Sequence, residues 1–189
     1  MTKTEICNRA LAVLGHDRAI TDYASDASTE ALRCRLFYDC ALADCLSEHD
    51  WDFAAVERNI GTMRPDPYGW VIAPLPPDAL RIILVSDMEG NPFKTRRNRD
   101  RLLVQTNGLP AKIRYVTRDV TEADFPHKFT ECVIYQLAAL LCGPMYGDDK
   151  KTEGFMNQAK MKISDAITKE SDETAYRGRF DNPFIKARR

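Results

Sequence analysis

The residues best suited to a chemical role are four arginines, Arg96, Arg97, Arg99 and Arg101, in a basic stretch between residues 94 and 101. Guanidinium groups bind phosphate oxygens through charge and paired hydrogen bonds, so this cluster could face DNA in a channel or an acidic partner. The stretch contains no aromatic side chain, and stacking of single-stranded bases is therefore not expected. The alternative is a solvated basic loop between two strands.

A second candidate surface lies in residues 171–189, which are polar and mixed in charge with few apolar side chains. A segment of this composition builds no core of its own, but it can become ordered when it binds a partner. The partner-binding candidates are its basic and aromatic residues: Arg177, Arg179, Phe180, Phe184 and Arg188. The alternative is a frayed terminus.

The remaining reactive side chains form no recognisable catalytic or metal-binding pattern. Three histidines stand without neighbours at ligand spacing: His16, His49 and His127. Asp148 and Asp149 are more typical of a helix start than of a calcium loop. The six cysteines include no CxxC pair, which favours buried free thiols over a zinc site. The sequence also lacks GxSxG, P-loop and HExxH patterns, so we expect no cofactor, no metal and no enzymatic activity.

Composition and charge narrow the possible classes of protein. The 189 residues carry a formal net charge of −1, with 44% apolar and 29% charged residues. These values are ordinary for a globular chain and create no overall field that would attract nucleic acid or a membrane. No apolar run approaches the roughly 18 residues that span a bilayer, and the amphipathic start is unlike a signal peptide. The expected compartment is the cytoplasm, or a particle assembled there.

Helical periodicity predicts two helices before and two after a central β-rich stretch. The predicted helices cover residues 4–14, 28–48, 125–142 and 151–170. The stretch between the pairs, residues 51–117, contains a strong strand pattern at residues 80–85 and an expected strand pair at residues 102–106 and 111–116.

The simplest packing for this order is an α+β fold that is mainly α. The N-terminal and C-terminal helix pairs form a four-helix bundle, and a small antiparallel β-sheet is inserted between them. Residues 1–170 then form a single domain, and residues 171–189 form an extended, flexible C-terminal tail.

Local signals predict the ends of the first helix and the buried face of the second. Thr2 and Glu5 have the spacing of a capping box, and Gly15 is suited to stop the first helix. In the second helix one apolar stripe recurs at helical spacing, and we expect it to face the core: Leu32, Leu36, Cys40, Ala43 and Leu46.

Two short signatures follow the second helix. The first runs Asp50-Trp51-Asp52-Phe53-Ala54, and the second runs Leu75-Pro76-Pro77-Asp78-Ala79-Leu80-Arg81. Their aromatic and proline residues are suited to fix the place where a helix ends and a sheet begins. We therefore expect a structural junction at Trp51, Phe53, Trp70 and Pro76.

The order of these features resembles the tail tubular protein A family, the head-to-tail adaptor proteins of short-tailed phages and related prophages. The resemblance covers roughly residues 4–170, and it lies in the order and spacing of short matches. The matching residues are Ile6 to Leu11 with Leu14 and Gly15, then Ala31, Cys34, Tyr38 and Leu46, then Trp51 to Ala54, Trp70, Leu75 to Asp78, Leu80 and Arg81, and finally Phe125, Pro126, Phe129 and Leu137 to Leu141.

The resemblance implies a virion protein of the head–tail junction, assembled in the bacterial cytoplasm. It implies a ring of about twelve copies beneath the portal protein, carrying the tail nozzle or tube protein and letting the genome pass. The single chain could stay monomeric until the portal assembles it. No catalytic motif is implied. The alternatives are a related head-completion or tail-terminator protein, and a small α+β enzyme whose Asp, Glu or His residues meet only on folding.

Overall fold

The computed structural model describes residues 1–59, 68–73, 75–87, 92–98, 101–105 and 112–180. These ranges divide into a helical unit and a β unit. The helical unit combines Met1–His49 with the described part of Thr121–Arg189, and the β unit is Asp50–Val120. Both ends of the sequence thus contribute to the helical unit, and the β unit interrupts it in sequence. The fold is α+β, with four helices and small antiparallel sheets in the described ranges.

Helix α1, Lys3–Val13, lies one residue before the predicted range 4–14, and the predicted signals act at both of its ends. The Thr2 hydroxyl accepts a hydrogen bond from the Glu5 amide at 3.2 Å, and the Glu5 carboxylate accepts one from the Thr2 amide at 2.8 Å. At the other end Gly15 adopts a φ of 76°, and His16 donates its amide hydrogen to the Leu11 carbonyl at 3.0 Å. This bond, together with the Gly15 amide on Ala12 at 2.9 Å, is the Schellman pattern that satisfies the last carbonyls of a helix.

Helix α2, Thr29–Ser47, buries a different face from the one we expect. Leu32 and Leu36 are 56% and 68% exposed, and Cys40 is also exposed, so the predicted stripe is wrong at three of its five positions. The buried face consists mostly of small residues around one tyrosine: Ala31, Cys34, Tyr38, Ala41, Leu42, Cys45 and Leu46. Small side chains allow neighbouring helices to approach closely, which suits this face to helix packing.

Helix α3, His127–Tyr146, is the centre of the helical unit and packs against α1, α2 and the last helix. It begins at His127, later than the predicted start at residue 125, and runs beyond the predicted end at residue 142. Pro144 lies inside its last turn, and the helix ends only at Gly147, which has a φ of 62° and donates its amide hydrogen to Gly143 at 2.9 Å. Glycine in this left-handed conformation, rather than the proline, therefore ends α3.

Helix α4 runs over Asp149–Phe180, so it starts before the predicted residue 151 and passes the predicted end at residue 170. Asp148 accepts a hydrogen bond from the Lys151 amide at 3.1 Å and so caps its start, in agreement with the sequence-based interpretation of Asp148 and Asp149. The extension to Phe180 has few apolar residues. Periodicity alone therefore could not show it, although residues 171–177 contain neither glycine nor proline.

The β unit begins with a short 3-10 turn, Asp52–Ala54, and contains two three-stranded antiparallel sheets. One sheet has the order β1 (Ala55–Asn59), β6 (Lys112–Thr117), β3 (Ala79–Ser86), and the other has the order β2 (Trp70–Ala73), β5 (Arg101–Gln105), β4 (Lys94–Asn98). A shared apolar cluster joins residues of both sheets: Val71, Ala79, Val85, Val104, Ile113 and Tyr115.

The expected pairing of residues 102–106 with residues 111–116 is wrong. Strand β5 pairs with β2 and β4, whereas β6 pairs with β1 and β3. Each of these strands is therefore the central strand of its own sheet. Sequence proximity favours a hairpin, but Val104 and Ile113 are both buried in the shared cluster, which two sheets can cover more completely than one.

Candidate functional site

The two sequence signatures meet in the β unit. The Arg81 Nε of the second signature lies 2.6 Å from the Asp50 Oδ1 of the first, and the Arg114 Nη2 lies 3.5 Å from Asp52 Oδ1. Trp51, between the two aspartates, is only 2% exposed, and its ring centre lies 6.2 Å from that of Phe53. The first signature thus places a buried indole between two ion pairs, each to a different strand.

The four ion-pair side chains are themselves between 42% and 48% exposed. Water and salt screen pairs of this exposure, and each stabilises a fold by about 0–1 kcal/mol. The burial of Trp51 is the larger contribution, because a tryptophan side chain removes about 150–250 Å² from water. The aspartates therefore orient this segment, and the indole anchors it.

Asp78 of the second signature is the centre of a hydrogen-bond network. Its carboxylate accepts hydrogen bonds from the Thr117 hydroxyl at 2.8 Å and the Tyr115 hydroxyl at 2.9 Å, and the Arg58 Nη2 lies 3.4 Å away. Its carbonyl accepts the Arg118 amide at 2.8 Å. The Arg58 guanidinium also lies over the Tyr115 ring, 5.7 Å from its centre. Asp78 therefore ties the turn before β3 to strands β1 and β6.

The surroundings of Asp78 favour its ionised form. Burial raises its pKa, but the hydrogen bonds from Thr117 and Tyr115 outweigh that effect, and the pKa is lowered overall. Burial and the hydrogen bond to Asp78 raise the pKa of Tyr115 to about 12. A carboxylate with a lowered pKa and three donors around it is a poor proton acceptor. The network can hold strands together but is unsuited to general base chemistry.

The other two residues predicted at the junction lie in ordinary positions of the β unit. Trp70 is half-buried at the start of β2, opposite Gln105. Pro76 is also half-buried, and its carbonyl accepts the Ala79 amide at 3.0 Å in the turn that leads into β3. Of the four predicted junction residues, Trp51 alone is fully buried, while Phe53 is half-buried.

The predicted basic loop is a β-hairpin for most of its length. Arg96 and Arg97 lie in β4, opposite Leu103 and Leu102, and Arg101 opens β5 opposite Asn98. Arg99 lies outside the described residues, as do the side chains of the other three arginines. The hairpin backbone nevertheless brings the arginine positions of both strands to one end of the sheet.

The predicted partner-binding segment lies partly on α4. Arg177, Arg179 and Phe180 belong to the last turns of this helix, and their side chains lie outside the described ones. Phe184 and Arg188 lie outside the described residues.

The three histidines each contact a glutamate. The distances from the imidazole Nε2 to the carboxylate are 3.3 Å for His16 and Glu30, 3.5 Å for His49 and Glu170, and 3.4 Å for His127 and Glu131. The second of these contacts ties the end of α2 to α4. All three contacts lie within ion-pair distance, and the contact between His16 and Glu30 is also a hydrogen bond. Only the His127–Glu131 contact, at a separation of four residues on a helix, has a spacing that reveals it in the sequence.

Glu122 is a structural residue that sequence reasoning missed. It accepts the Tyr38 hydroxyl at 3.1 Å and lies 3.6 Å from the Lys3 ammonium, which also sits over the Tyr23 and Tyr38 rings. Burial, followed by the charge of Glu122, raises the pKa of Tyr38 above its ordinary value. This network joins α1, α2 and the segment before α3, and its members are too far apart in sequence to form a motif.

The thiols are free, in agreement with the expectation from their spacing. Five cysteines are buried and Cys40 is exposed. The hydrogen bond with Cys34, together with burial, raises the pKa of the Cys7 thiol. Across the described ranges, no three His, Cys, Asp or Glu side chains gather closely enough to hold a metal ion. No helix among these residues is long and apolar enough to cross a membrane.

Neither the protein-family models nor the curated proteins include a match to this chain.

Proposed function

We propose that this chain is a structural head-to-tail adaptor of a tailed bacteriophage or prophage. Copies of it form a ring of about twelve beneath the portal protein, join the portal to the tail nozzle or tube, and leave a central passage for the genome. In this proposal the four helices form the bundle of the adaptor, the β unit is an insertion, and residues 171–189 contact the portal.

The observation that carries the proposal is the place of the matching residues in the fold. Of the 31 residues that resemble the adaptor family, 15 are buried: Ile6, Cys7, Ala10, Leu11, Ala31, Cys34, Tyr38, Leu46, Trp51, Ala54, Phe129, Leu137, Ala138, Ala139 and Leu141. Asp78 and Arg81, which are also part of the resemblance, hold the β unit together through hydrogen bonds and an ion pair. These residues contribute to internal architecture, which is what relatives with different partners would share.

The contacts of the polar side chains and thiols in the described residues also suit a structural role. The Asp78 carboxylate accepts two hydroxyl hydrogen bonds, the three histidines contact glutamates, and five of the thiols are buried. Asp78, His16 and His49 thus connect different parts of this chain. The contacts of an adaptor with DNA and the portal would then be made by its surfaces, namely the basic hairpin and the end of α4.

In a ring of subunits, a weak contact of each copy with DNA is sufficient, because the contact is repeated in every copy. The arginine positions of the hairpin would meet the DNA backbone with low affinity in one copy, and the contact would repeat around the ring. Such contacts neutralise phosphates without reading sequence, so they weaken as salt rises. A passage for the genome requires this combination, because tight binding would stop the DNA.

Co-purification with a portal protein tests the proposal. The full chain is mixed with tagged portal from the same phage or prophage genome, and portal-bound particles are imaged by electron microscopy. We expect an added ring at the narrow end of the portal. A chain with Arg96 and Arg97 changed to Glu is the matched control, since it should still join the portal while losing retention on a duplex DNA column. Absence of binding to the portal would refute the proposal.

A further inference from the structure

One face of the β2–β5–β4 sheet points away from the shared apolar cluster of the β unit. Val71 and Val104 lie opposite each other and are buried in that cluster. Successive residues of a strand point to opposite faces of its sheet, so the rows on either side of this pair lie on the other face. Two rows of positions define this outer face: Trp70, Gln105 and Lys94 in one, and Ile72, Leu103 and Arg96 in the other.

Strand β2 gives the outer face an aromatic and apolar edge. Trp70 is half-buried, and Ile72 is 57% exposed. Tyr68, two residues before Trp70, is 84% exposed. Residues 94–101 contain no aromatic side chain, but the pairing of β2 with β5 places Trp70 in the same sheet as the basic strands. The folded sheet therefore has the ring that the basic stretch lacks.

The strands of this sheet carry positive charge and no negative charge. They contain no Asp or Glu, and their basic residues are Lys94, Arg96, Arg97 and Arg101. In the β1–β6–β3 sheet every basic residue lies within 3.5 Å of a carboxylate, in the pairs Arg58–Asp78, Arg81–Asp50, Lys112–Glu57 and Arg114–Asp52. The two sheets differ in this respect, and the surplus of positive charge in the β2–β5–β4 sheet favours an anionic ligand.

The ring and the charge are close enough to meet one ligand. Trp70 and the exposed Lys94 stand in the same row, on the two strands that flank β5. Neighbouring strands lie about 4.8 Å apart, so about 10 Å separates β2 from β4. Aromatic rings beside a basic track are the combination that holds single-stranded nucleic acid, because bases stack on the rings while cations meet the phosphates. In a duplex the bases are stacked on one another, so only an unpaired strand offers them to Trp70.

We propose that the outer face of the β2–β5–β4 sheet binds single-stranded nucleic acid. A base stacks on Trp70, and the phosphates run along Lys94 and the basic positions of β4. Binding of this kind tolerates many sequences, because every base has a face that can stack. The proposal goes beyond the adaptor function, in which the hairpin meets duplex DNA through phosphates alone.

Fluorescence anisotropy of labelled oligonucleotides tests the proposal on the full chain. The probes are oligothymidylate of about 20 nucleotides, which is longer than most single-strand sites, and a duplex of the same length. Trp70→Phe and Trp70→Leu are a matched pair, since both keep a large apolar side chain but only phenylalanine can stack. We expect W70L to weaken oligothymidylate binding about tenfold and W70F to stay within about threefold of the unchanged chain. Neither variant should change duplex binding.

A second matched pair tests the charge. Lys94 belongs to the outer face, whereas Lys112 lies 3.4 Å from Glu57 in the other sheet. Titrations between about 50 and 200 mM NaCl give the slope of log affinity against log salt concentration. K94Q removes one phosphate contact and should reduce that slope by about 0.7, whereas K112Q should leave it unchanged. Far-UV circular dichroism verifies folding, and the exposure of Lys94 keeps this test decisive even if W70L does not fold.

Four results would overturn the proposal. The first is no binding of oligothymidylate to the unchanged chain at about 50 mM NaCl, whether or not the duplex binds. The second is equal oligothymidylate affinity for folded W70L and W70F. The third is a salt slope that K112Q reduces as much as K94Q. The fourth is displacement of oligothymidylate by polyglutamate as readily as by unlabelled oligothymidylate, which would assign the face to an acidic protein.

The portal experiment remains separate from this test. A ring on the portal without binding of oligothymidylate would refute the single-strand site alone. Binding of oligothymidylate with the expected loss in W70L, but without a ring on the portal, would refute the adaptor alone.

Discussion

Replacing Trp51 with alanine should destabilise the protein more than any change to the charged residues beside it. The indole is 2% exposed, and its truncation returns about 150 Å² of apolar contact. At about 25 cal/mol per Å² this amounts to about 4 kcal/mol, within the range of about 3–5 kcal/mol measured for Trp→Ala in cores. By contrast, D50N and D52N each remove one exposed ion pair and should cost about 0–1 kcal/mol.

Urea unfolding followed by far-UV circular dichroism measures these differences, because the signal does not depend on the removed tryptophan. Trp70→Ala is the matched control, since Trp70 is half-buried and should cost clearly less than Trp51. Unfolding of W51A at the same urea concentration as the unchanged protein would refute the role of Trp51 as the anchor. A cost of D50N or D52N as large as that of W51A would also refute it, because the ion pairs would then be the anchor.

Three further predictions concern acid stability, backbone conformation and the two faces of α2. Folding lowers the pKa of Asp78, so its carboxylate stabilises the fold above the unfolded-state value of about 3.9 and loses that effect as the pH falls through the lower folded value. D78N should therefore flatten the acid limb of a stability curve measured between pH 2 and pH 6, and an unchanged limb would exclude Asp78 as its cause. Gly15→Ala should cost about 1–2 kcal/mol because φ is 76° although nothing lies within 4 Å, whereas Gly154→Ala inside α4 should stabilise by up to about 1 kcal/mol. Thermal unfolding that shifts both glycine variants in one direction would contradict this. Leu46→Ala should cost about 2–5 kcal/mol and Leu36→Ala less than about 0.5 kcal/mol, and equal costs would mean that the assigned face of α2 is wrong.

Local signals in the sequence were reliable where the determining contacts are local. The capping box of Thr2 and Glu5 and the left-handed Gly15 depend on residues within one helical turn, and the structure has both. The face of α2 depends instead on which neighbours it meets. Small residues such as Ala31 and Cys34 pack against other helices, and leucine periodicity could not reveal that choice.

The same limit applies to the β unit and its networks. The sequence showed that Trp51 and Asp78 belong to notable signatures, but not that Asp50 would pair with Arg81, because 31 residues separate them. The expected pairing of residues 102–106 with residues 111–116 is wrong for another reason. Closeness in sequence favours a hairpin, but Val104 and Ile113 face one core from two different sheets. Glu122 had no visible role because its partners, Lys3 and Tyr38, lie far away in sequence.

Native mass spectrometry with and without the portal protein tests whether the chain forms a ring on the portal. The chain has a mass of 21.5 kDa, so each added copy is resolved as one step. We expect portal rings to gain a closed set of about twelve copies, whatever the state of the chain alone. A complex that binds one or a few copies without closing a ring, or a portal that gains no mass, would contradict it.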